Sequence, residues 1–285
     1  MSGFLDDMAR ASAARVAEVL RHESVADLQR RARSAPAGPP LRLSRSGFDV
    51  IAELKLRSPA AGVLGTESQD WLGRVAAYAR GGAAAVSVLT EPTRFDGSLE
   101  HLRQAAAALR PLGVPVMRKD FLVDPIQVLE ARAAGAGGVL VIVRMLSREK
   151  IAELLDAATE HGLFVLLEAF DETDLQIARE VMAARAAPKP LAGPLAGQTE
   201  QVLIGINCRD LQTLKVVPER FAALAHLLPV GAPAVAESGV VCAADARNMQ
   251  RLGYGIALIG TALMAADDPS QLLGEIFQAT RTVQP

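Results

Sequence analysis

Eight short runs of apolar residues, rich in β-branched side chains, recur along the chain. The runs span residues 48–55, 84–90, 114–119, 138–143, 163–168, 202–207, 232–237 and 255–260. The stretches between them show the apolar spacing of amphipathic helices, as at Trp71, Val75 and Tyr78, and several end in glycine. Because near-continuous apolarity is typical of parallel strands covered by helices, this order predicts repeated βαβ units. Eight units favour closure into a (β/α)8 TIM barrel, with a doubly wound open sheet as the alternative.

The segments outside these units predict a single domain over residues 1–285 with an added N-terminal part. Residues 4–33 have the spacing of one or two amphipathic helices, so we expect a helical extension over 1–47 that packs on a barrel core over 48–270. Residues 183–201 are rich in proline, alanine and glycine and separate the fifth predicted helix from the sixth strand. Because such a connection lies on the bottom face of a barrel, we expect this loop insertion to affect stability more than catalysis.

The composition favours an enzyme that acts on small molecules. Half of the residues are apolar, and the formal net charge of −2 creates no field that attracts nucleic acid or an anionic membrane. The two cysteines cannot form a disulfide framework and the four histidines lack metal-ligand spacing, so we expect no metal. The N-terminus lacks the apolar run of a signal peptide, which predicts a cytoplasmic protein that does not contact membranes. No G-x-G-x-x-G motif follows a predicted strand, so no dinucleotide cofactor is indicated.

Charged and polar residues collect where the predicted strands end. They are Glu53 and Lys55 (strand 1), Lys119 (strand 3), Glu168 (strand 5), Asn207 and Arg209 (strand 6), and Glu237 (strand 7). A charge at the end of one strand can simply mark solvent, but the carboxyl ends of barrel strands share one rim, where active sites lie. Two lysines near three carboxylates would perturb each other's pKa and keep acid and base forms available together. This pattern indicates proton-transfer chemistry.

Two glycine-containing turns follow the last two predicted strands. Ser238 and Gly239 come after strand 7, and Gly260 and Thr261 come after strand 8. Glycines let backbone N–H groups approach an anion, the hydroxyls add donors, and a helix beginning near Thr261 would direct its N-terminus at the same point. Such turns are ordinary in βα units, but their position after strands 7 and 8 of a barrel predicts a phosphate site.

Seven segments, in this order, resemble the indole-3-glycerol phosphate synthase family. They are VIAELKLRSP (50–59), SVLTEPTRFDGSLEHL (87–102), RKDFLVDPIQVLEARAAGA (118–136), LLEAFDETDL (166–175), IGINCRDLQTL (204–214), AESGV (236–240) and LIGTALM (258–264). The resemblance implies a TIM-barrel enzyme of tryptophan biosynthesis. It would convert 1-(2-carboxyphenylamino)-1-deoxyribulose 5-phosphate to indole-3-glycerol phosphate, a carboxy-lyase reaction that releases CO₂ and water without a cofactor.

The resemblance also implies roles for the residues at matching positions. Lys119 would be the general acid that protonates the ketone oxygen, and Lys55 would bind the substrate carboxylate or phosphate and assist proton transfer. Glu168 would act in the dehydration as base or proton shuttle. Glu53, Asn207 and Glu237 would orient the catalytic groups and the sugar hydroxyls, with Ser58 and Arg209 close to them. The phosphate would be held by Ser238, Gly239, Gly260 and Thr261. The aromatic ring would be enclosed by Phe95 and Phe121.

Four positions depart from the family pattern. Ala60 stands where serine is usual, and Gly137 stands where aspartate is common. Phe170 replaces a frequent histidine, and Cys208 replaces a common asparagine. Ala60 and Phe170 lie nearer the predicted rim, and they leave open a paralogue of secondary metabolism that uses a substituted anthranilate.

Two further hypotheses involve the same type of barrel. A related phosphate-binding isomerase, such as phosphoribosylanthranilate isomerase, would be expected to place a cysteine at the end of strand 1 and an acidic aspartate at strand 6. Glu53 and Lys55 end strand 1 here, which disfavours it. A barrel retired from catalysis and kept as a partner subunit would lack Lys119 or Glu168, and both are present.

Overall fold

Eight parallel strands form a closed barrel in the computed structural model, which describes residues 3–44, 47–60, 62–65, 70–185, 201–211, 213–229 and 231–281. The barrel strands are β1 (Asp49–Leu54), β2 (Ala85–Leu89), β3 (Val116–Lys119), β4 (Gly138–Ile142), β5 (Phe164–Ala169), β6 (Val202–Asn207), β7 (Ala234–Glu237) and β8 (Ile256–Ile259). Each strand pairs with the next in chain order, and β1 closes the ring by pairing with β8. Every strand overlaps one predicted run, so the (β/α)8 barrel is confirmed and the open sheet is excluded.

The described residues contain twelve α-helices. They are α1 (Phe4–His22), α2 (Val25–Ser34), α3 (Trp71–Arg80), α4 (Pro92–Phe95), α5 (Leu99–Leu109), α6 (Ile126–Ala133), α7 (Arg148–Glu160), α8 (Glu172–Ala184), α9 (Glu219–Ala225), α10 (Ala243–Arg251), α11 (Thr261–Ala265) and α12 (Pro269–Thr280). Several begin at serine or aspartate because these side chains accept hydrogen bonds from the first turn; Ser98 accepts one from the backbone N–H of His101. None of these helices is long and apolar enough to cross a lipid bilayer.

Alternate residues of the strands pack into two apolar layers. Ile51, Met117 and Leu166 point into the barrel and belong to its interior core. Their neighbours along the strands, such as Val50, pack outward against the helices. Cys208 lies in this outer layer, where burial raises the pKa of its thiol to about 12. This placement supports a packing role for Cys208.

The two N-terminal helices pack on the side of the barrel formed by β3 and α6. Leu28 of α2 packs with Ile126 and Leu129 of α6. Farther along α1, Arg15 Nη2 donates a 2.7 Å hydrogen bond to Asp120 Oδ1, just beyond the end of β3. The start of α1 places Phe4 at the mouth of the barrel. The extension therefore reaches the rim where the strands end.

The bottom face explains one departure from the family pattern. A Cβ atom on Gly137 would lie 2.8 Å from Pro115 Cβ and 3.1 Å from the Pro39 carbonyl oxygen, so the segment that precedes β1 leaves no room for a side chain. In the expected insertion, residues 183–185 end α8 and its following turn, and residue 201 precedes β6. Residues 186–200 of that segment lie outside the described residues.

Candidate active site

Four charged side chains meet inside the carboxyl end of the barrel, one from each odd-numbered strand. They are Glu53 of β1, Lys119 of β3, Glu168 of β5 and Glu237 of β7. Each lies two residues beyond an interior apolar residue of its own strand, such as Met117 below Lys119. Strand tilt in a closed barrel brings residues of alternate strands into one layer of four. The uppermost layer of this type is therefore ionic, and the layer below it is apolar.

Lys119 is the centre of this arrangement. Its Nζ donates to Glu168 Oε2 at 3.0 Å and lies 3.5 Å from Glu237 Oε2. Asn207, at the end of β6, donates from Nδ2 to Glu168 Oε1 at 3.0 Å. The backbone N–H of Arg209 in turn donates to Asn207 Oδ1 at 2.9 Å, which fixes the orientation of the amide. These contacts hold an acid and a carboxylate base side by side with defined geometry.

Lys55 forms a second pair with Glu53, with 2.9 Å between Nζ and Oε1. This pair lies against the end of β8. A Cβ atom on Gly260 would come within 2.4 Å of Glu53 Oε1 and 3.2 Å of Lys55 Nζ. Glycine at position 260 therefore makes room for the ion pair, in addition to any role in anion binding.

The layer shifts the pKa values of its own members. Burial alone would raise the pKa of Glu53, but Lys55 and Lys119 outweigh it and the pKa is lowered. Burial alone would lower the pKa of Lys119, but Glu168, followed by the other two carboxylates, raises it. Burial raises the pKa of Glu237 well above its ordinary value, and the charge of Glu168 raises it further. The pKa values of Lys119 and Glu237 are thus both raised, although the two side chains belong to one layer.

A cavity of about 340 Å³ opens above this layer. All fourteen predicted site residues line it: Glu53, Lys55, Ser58, Phe95, Lys119, Phe121, Glu168, Asn207, Arg209, Glu237, Ser238, Gly239, Gly260 and Thr261. The structure thus brings every one of them together, although it does not test their individual roles. In the described part of the chain, no group of three or more His, Cys, Asp and Glu residues is arranged to hold a metal ion.

One wall of the cavity is aromatic. The ring centroids of Phe95 and Phe121 lie 6.0 Å apart, and Phe4 meets Phe121 edge to face at 5.8 Å. Sequence analysis missed Phe4 as a site residue, because the apolar spacing of α1 shows a buried helix face without showing what that face covers. Ala60 also lines the cavity, whereas Phe170 does not line it and is buried with the guanidinium of Arg144 4.5 Å above its ring. Phe170 directly follows β5, at the carboxyl end of the barrel as expected, but its buried side chain lies outside the cavity lining.

The turns after β7 and β8 form the opposite end of the cavity. Ser238 and Gly239 both have positive φ angles, 64° and 89°, so successive backbone groups turn sharply here. After β8, helix α11 begins at Thr261 as expected, with Gly260 as its N-cap. Ser238, Gly239, Gly260 and Thr261 all face the cavity. This end offers hydroxyl groups and backbone turns, and the aromatic wall offers apolar surface.

Comparison with known proteins points to one family. The family model for indole-3-glycerol phosphate synthase matches residues 5–186 and 195–276. An indole-3-glycerol phosphate synthase of Nocardioides sp. (strain ATCC BAA-499 / JS614) is 39% identical over 269 residues, which is 93% of this chain and 94% of that protein. The one from Parafrankia sp. (strain EAN1pec) is 38% identical over 263 residues, 91% of this chain and 89% of that protein.

Solved structures with lower sequence identity share the fold alone. A 3-hexulose-6-phosphate synthase gives a TM-score of 0.58 at 19% identity, over 82% of this chain and all of that one. Orotidine 5'-phosphate decarboxylase from Pyrococcus horikoshii OT3 gives 0.57 at 13% identity, with the same coverage. The match of the family model over nearly the whole chain and the identity to these relatives lead to one conclusion: this chain belongs to the indole-3-glycerol phosphate synthase family.

Proposed function

We propose that this enzyme converts 1-(2-carboxyphenylamino)-1-deoxyribulose 5-phosphate to indole-3-glycerol phosphate, with loss of CO₂ and water. The observation that carries the proposal is the pairing of Lys119 with Glu168, 3.0 Å apart, at the floor of a cavity with one aromatic and one hydroxyl-bearing end. The reaction needs an acid for ring closure and a base for dehydration, and these two side chains supply them. No second function is favoured by a specific contact.

The substrate fits the cavity in one orientation. Its benzoate ring would lie against Phe4, Phe95 and Phe121, where apolar surface excludes water. Its phosphate would lie at the other end, near the hydroxyls of Ser238 and Thr261 and the backbone of the two turns. The ketone carbon between them would then lie over Lys119 and Glu168.

Each step of the reaction has a group positioned for it. Lys119, held charged by its carboxylate neighbours, would protonate the ketone oxygen as the ring carbon attacks the ketone carbon. Loss of CO₂ restores the aromatic ring. Glu168 would then remove a proton as the new hydroxyl leaves as water, with Asn207 holding the carboxylate in place. Lys55 would bind the substrate carboxylate until it departs.

The direct test is incubation of the purified enzyme with the carboxyphenylamino-deoxyribulose phosphate while indole fluorescence is followed. Glu168→Gln keeps the size of the side chain and serves as the matched variant. We expect product from the wild type, and slowed dehydration with an accumulated hydroxyindoline intermediate from the variant. Absence of product from the wild type would overturn the proposed function and leave only the barrel and its cavity.

We also place the enzyme in the cytoplasm, because a substrate with a phosphate and a carboxylate does not cross a lipid bilayer unaided. Fractionation of cells that express the tagged chain tests this location.

A further inference from the structure

The ionic layer contains more carboxyl groups than cations. Two lysines, Lys55 and Lys119, face three carboxyl groups, those of Glu53, Glu168 and Glu237. The carboxyl-bearing side chains are at most 4% exposed, and the lysine side chains at most 15%. A buried charge without an opposite charge is costly because it has lost its hydration. Arg209 at the rim also acts on the charge of Glu53, but its guanidinium donates to the carbonyl of Leu214 at 2.9 Å. Among the five side chains of the layer itself, one bound proton on one carboxyl group would leave no net charge.

Hydrogen bonding shows which carboxyl group lacks a donor. Glu53 has Lys55 at 2.9 Å, and Glu168 accepts from both Lys119 and Asn207 at 3.0 Å. Neither oxygen of Glu237 accepts a hydrogen bond from any donor in the described residues. Its contact with Lys119 is long, 3.5 Å, and Lys119 already donates to Glu168.

Packing encloses the Glu237 carboxyl group against strand β6. A Cβ atom on Gly205 would lie 2.1 Å from Glu237 Oε1, so the carboxyl group fills the space that a side chain at 205 would otherwise take. Burial and the charge of Glu168 both raise the pKa of Glu237, and the lowering by Lys119 does not offset them. A protonated Glu237 can donate a hydrogen bond to Glu168, which is its neighbour in the layer. The proton thus belongs on Glu237.

The overall reaction, taken from the proposed function, consumes one proton for each turnover. Protons are added to the ketone oxygen and to the departing hydroxyl, and one proton is removed from the ring methylene. The carboxylate leaves as CO₂ and gives its electron pair to the ring. Two protons enter and one leaves, so the site must supply one more proton than its base recovers.

We propose that Glu237 is a neutral carboxylic acid in the resting enzyme and that its proton reloads Lys119 between the two protonations of the substrate. First, a Lys119 N–H bond breaks as the ketone O–H bond forms, which leaves Lys119 as a neutral amine. Next, the Glu237 O–H bond breaks as a Lys119 N–H bond forms, which gives an ammonium and a carboxylate 3.5 Å apart. The reloaded Lys119 then protonates the hydroxyl as it leaves as water. Glu168 returns the methylene proton to Lys119, 3.0 Å away, and Glu237 regains its proton from solvent after product release, so that each turnover consumes one proton.

The first arm of the test reads the protonation state without substrate. Infrared spectra of the free enzyme at neutral pH, with glutamate carboxyl groups labelled by ¹³C, should contain the C=O band of a protonated carboxyl group. The band should be lost in Glu237→Gln, which keeps the shape of the side chain without an acidic proton. It should remain in Glu275→Gln, which changes an exposed glutamate of α12. A wild type without this band, or a band that survives Glu237→Gln, overturns the proposal.

The second arm reads the reloading step. In single-turnover mixing, Glu237→Gln should close the ring at close to the wild-type rate because that step uses the proton already on Lys119. Loss of water should slow by at least ~10-fold, with build-up of a hydroxyindoline heavier than the product by one water. The activity of the wild type should also fall as pH rises through the Glu237 pKa. The pH–activity profile of Glu237→Gln should not show this fall.

The two arms separate this proposal from the proposed function. Dehydration at the wild-type rate in Glu237→Gln overturns the reloading, even where the band is found. A wild type that makes no indole product removes the proposed function, yet the infrared arm still decides whether Glu237 holds a proton.

Discussion

Two buried ionic clusters flank the end of β3, and they differ in how well their charges are paired. The inner cluster is Glu53, Lys55, Lys119, Glu168 and Glu237, inside the barrel. The outer cluster is Arg15, Arg118, Asp120 and Glu130, between β3, α6 and α1. Lys119 belongs to the first, and its chain neighbours Arg118 and Asp120 belong to the second, because successive residues of a strand point to opposite faces.

The outer cluster is saturated with hydrogen bonds. Arg118 donates to Asp120, Glu130 and the carbonyl of Gln127 at 2.8 to 3.1 Å. Asp120 also accepts from Thr90, from Arg15 and from the backbone N–H of Phe121. The inner cluster, in contrast, leaves both oxygens of Glu237 without a donor among the described residues. A buried cluster in which every polar group is hydrogen-bonded stabilises the fold. A cluster that leaves a carboxyl group without a donor keeps that group available for proton transfer with a substrate.

The largest effect is expected from Arg118→Ala. This change leaves Asp120 and Glu130 buried without their guanidinium partner, and removal of one member of a buried ion pair costs about 3–5 kcal/mol. Denaturant unfolding measures the loss. Arg103→Ala, which removes an exposed ion pair with Glu100 on α5, is the control and should reduce the free energy of unfolding far less. Equal losses in the two variants would show that the outer cluster does not stabilise the fold.

Lys119→Ala should instead reduce turnover. Loss of the general acid should lower kcat by at least ~10²-fold, or about 2.7 kcal/mol in the activation barrier. Steady-state assays of indole fluorescence measure it, with circular dichroism to show that the variant is folded. Near-normal turnover would rule out Lys119 as the acid.

The two clusters should also respond to pH in opposite directions. The folded pKa of Glu237 is raised, so its contribution to stability is complete below the ordinary value of 4.5 and is lost as pH rises toward the folded value. Burial alone would raise the pKa of Asp120, but Arg118 and Arg15 lower it. Its contribution is therefore complete above the ordinary value of 3.8 and is lost as pH falls through the folded value.

Unfolding measured across a series of pH values tests this contrast. Relative to the wild type, the free energy of unfolding of Glu237→Gln should rise by about 1.4 kcal/mol for each pH unit above 4.5, until the folded pKa of Glu237 is reached. Asp120→Asn should be less stable than the wild type at neutral pH, and the difference should shrink in acid. A constant offset for both variants would show that neither group is shifted.

The smallest effect is expected from Arg15→Ala, which cuts the hydrogen bond between α1 and Asp120. Because the Arg15 side chain is 27% exposed, solvent screens the pair and we expect a loss of only about 1 kcal/mol. KM should rise several-fold, since α1 also carries Phe4 to the aromatic wall. Arg10→Ala, which removes an exposed pair with Asp7 on the same helix, is the control. Identical KM values for the two variants would indicate that α1 does not position the wall.

The sequence by itself determined the strands, their order and the residues at their ends. Apolar periodicity and glycines between the runs are local signals, readable over about ten residues, and they located all eight strands and the charged residues at their ends. Because barrel strands end at one rim, the sequence also predicted that four of these charged residues lie together: Glu53, Lys119, Glu168 and Glu237. Ser58, Phe95 and Phe121, which also line the cavity, were predicted only from the resemblance to the family. The assigned roles, including phosphate binding by Ser238 and Thr261, stay predictions.

Tertiary structure alone decided which neighbours these residues meet. Arg15 and Asp120 are 105 positions apart, so no local pattern joins them, and only the packing of α1 on the barrel brings Phe4 over the cavity. Tertiary packing also decided that the side chain of Phe170, at the end of β5, is buried outside the cavity lining. The lack of a hydrogen-bond donor at Glu237 also results from closure of the barrel. Only the closed barrel brings three carboxyl groups from three strands together with two lysines. Burial without a hydrogen-bond donor is a condition that no single strand can specify, and it favours the protonated form of Glu237.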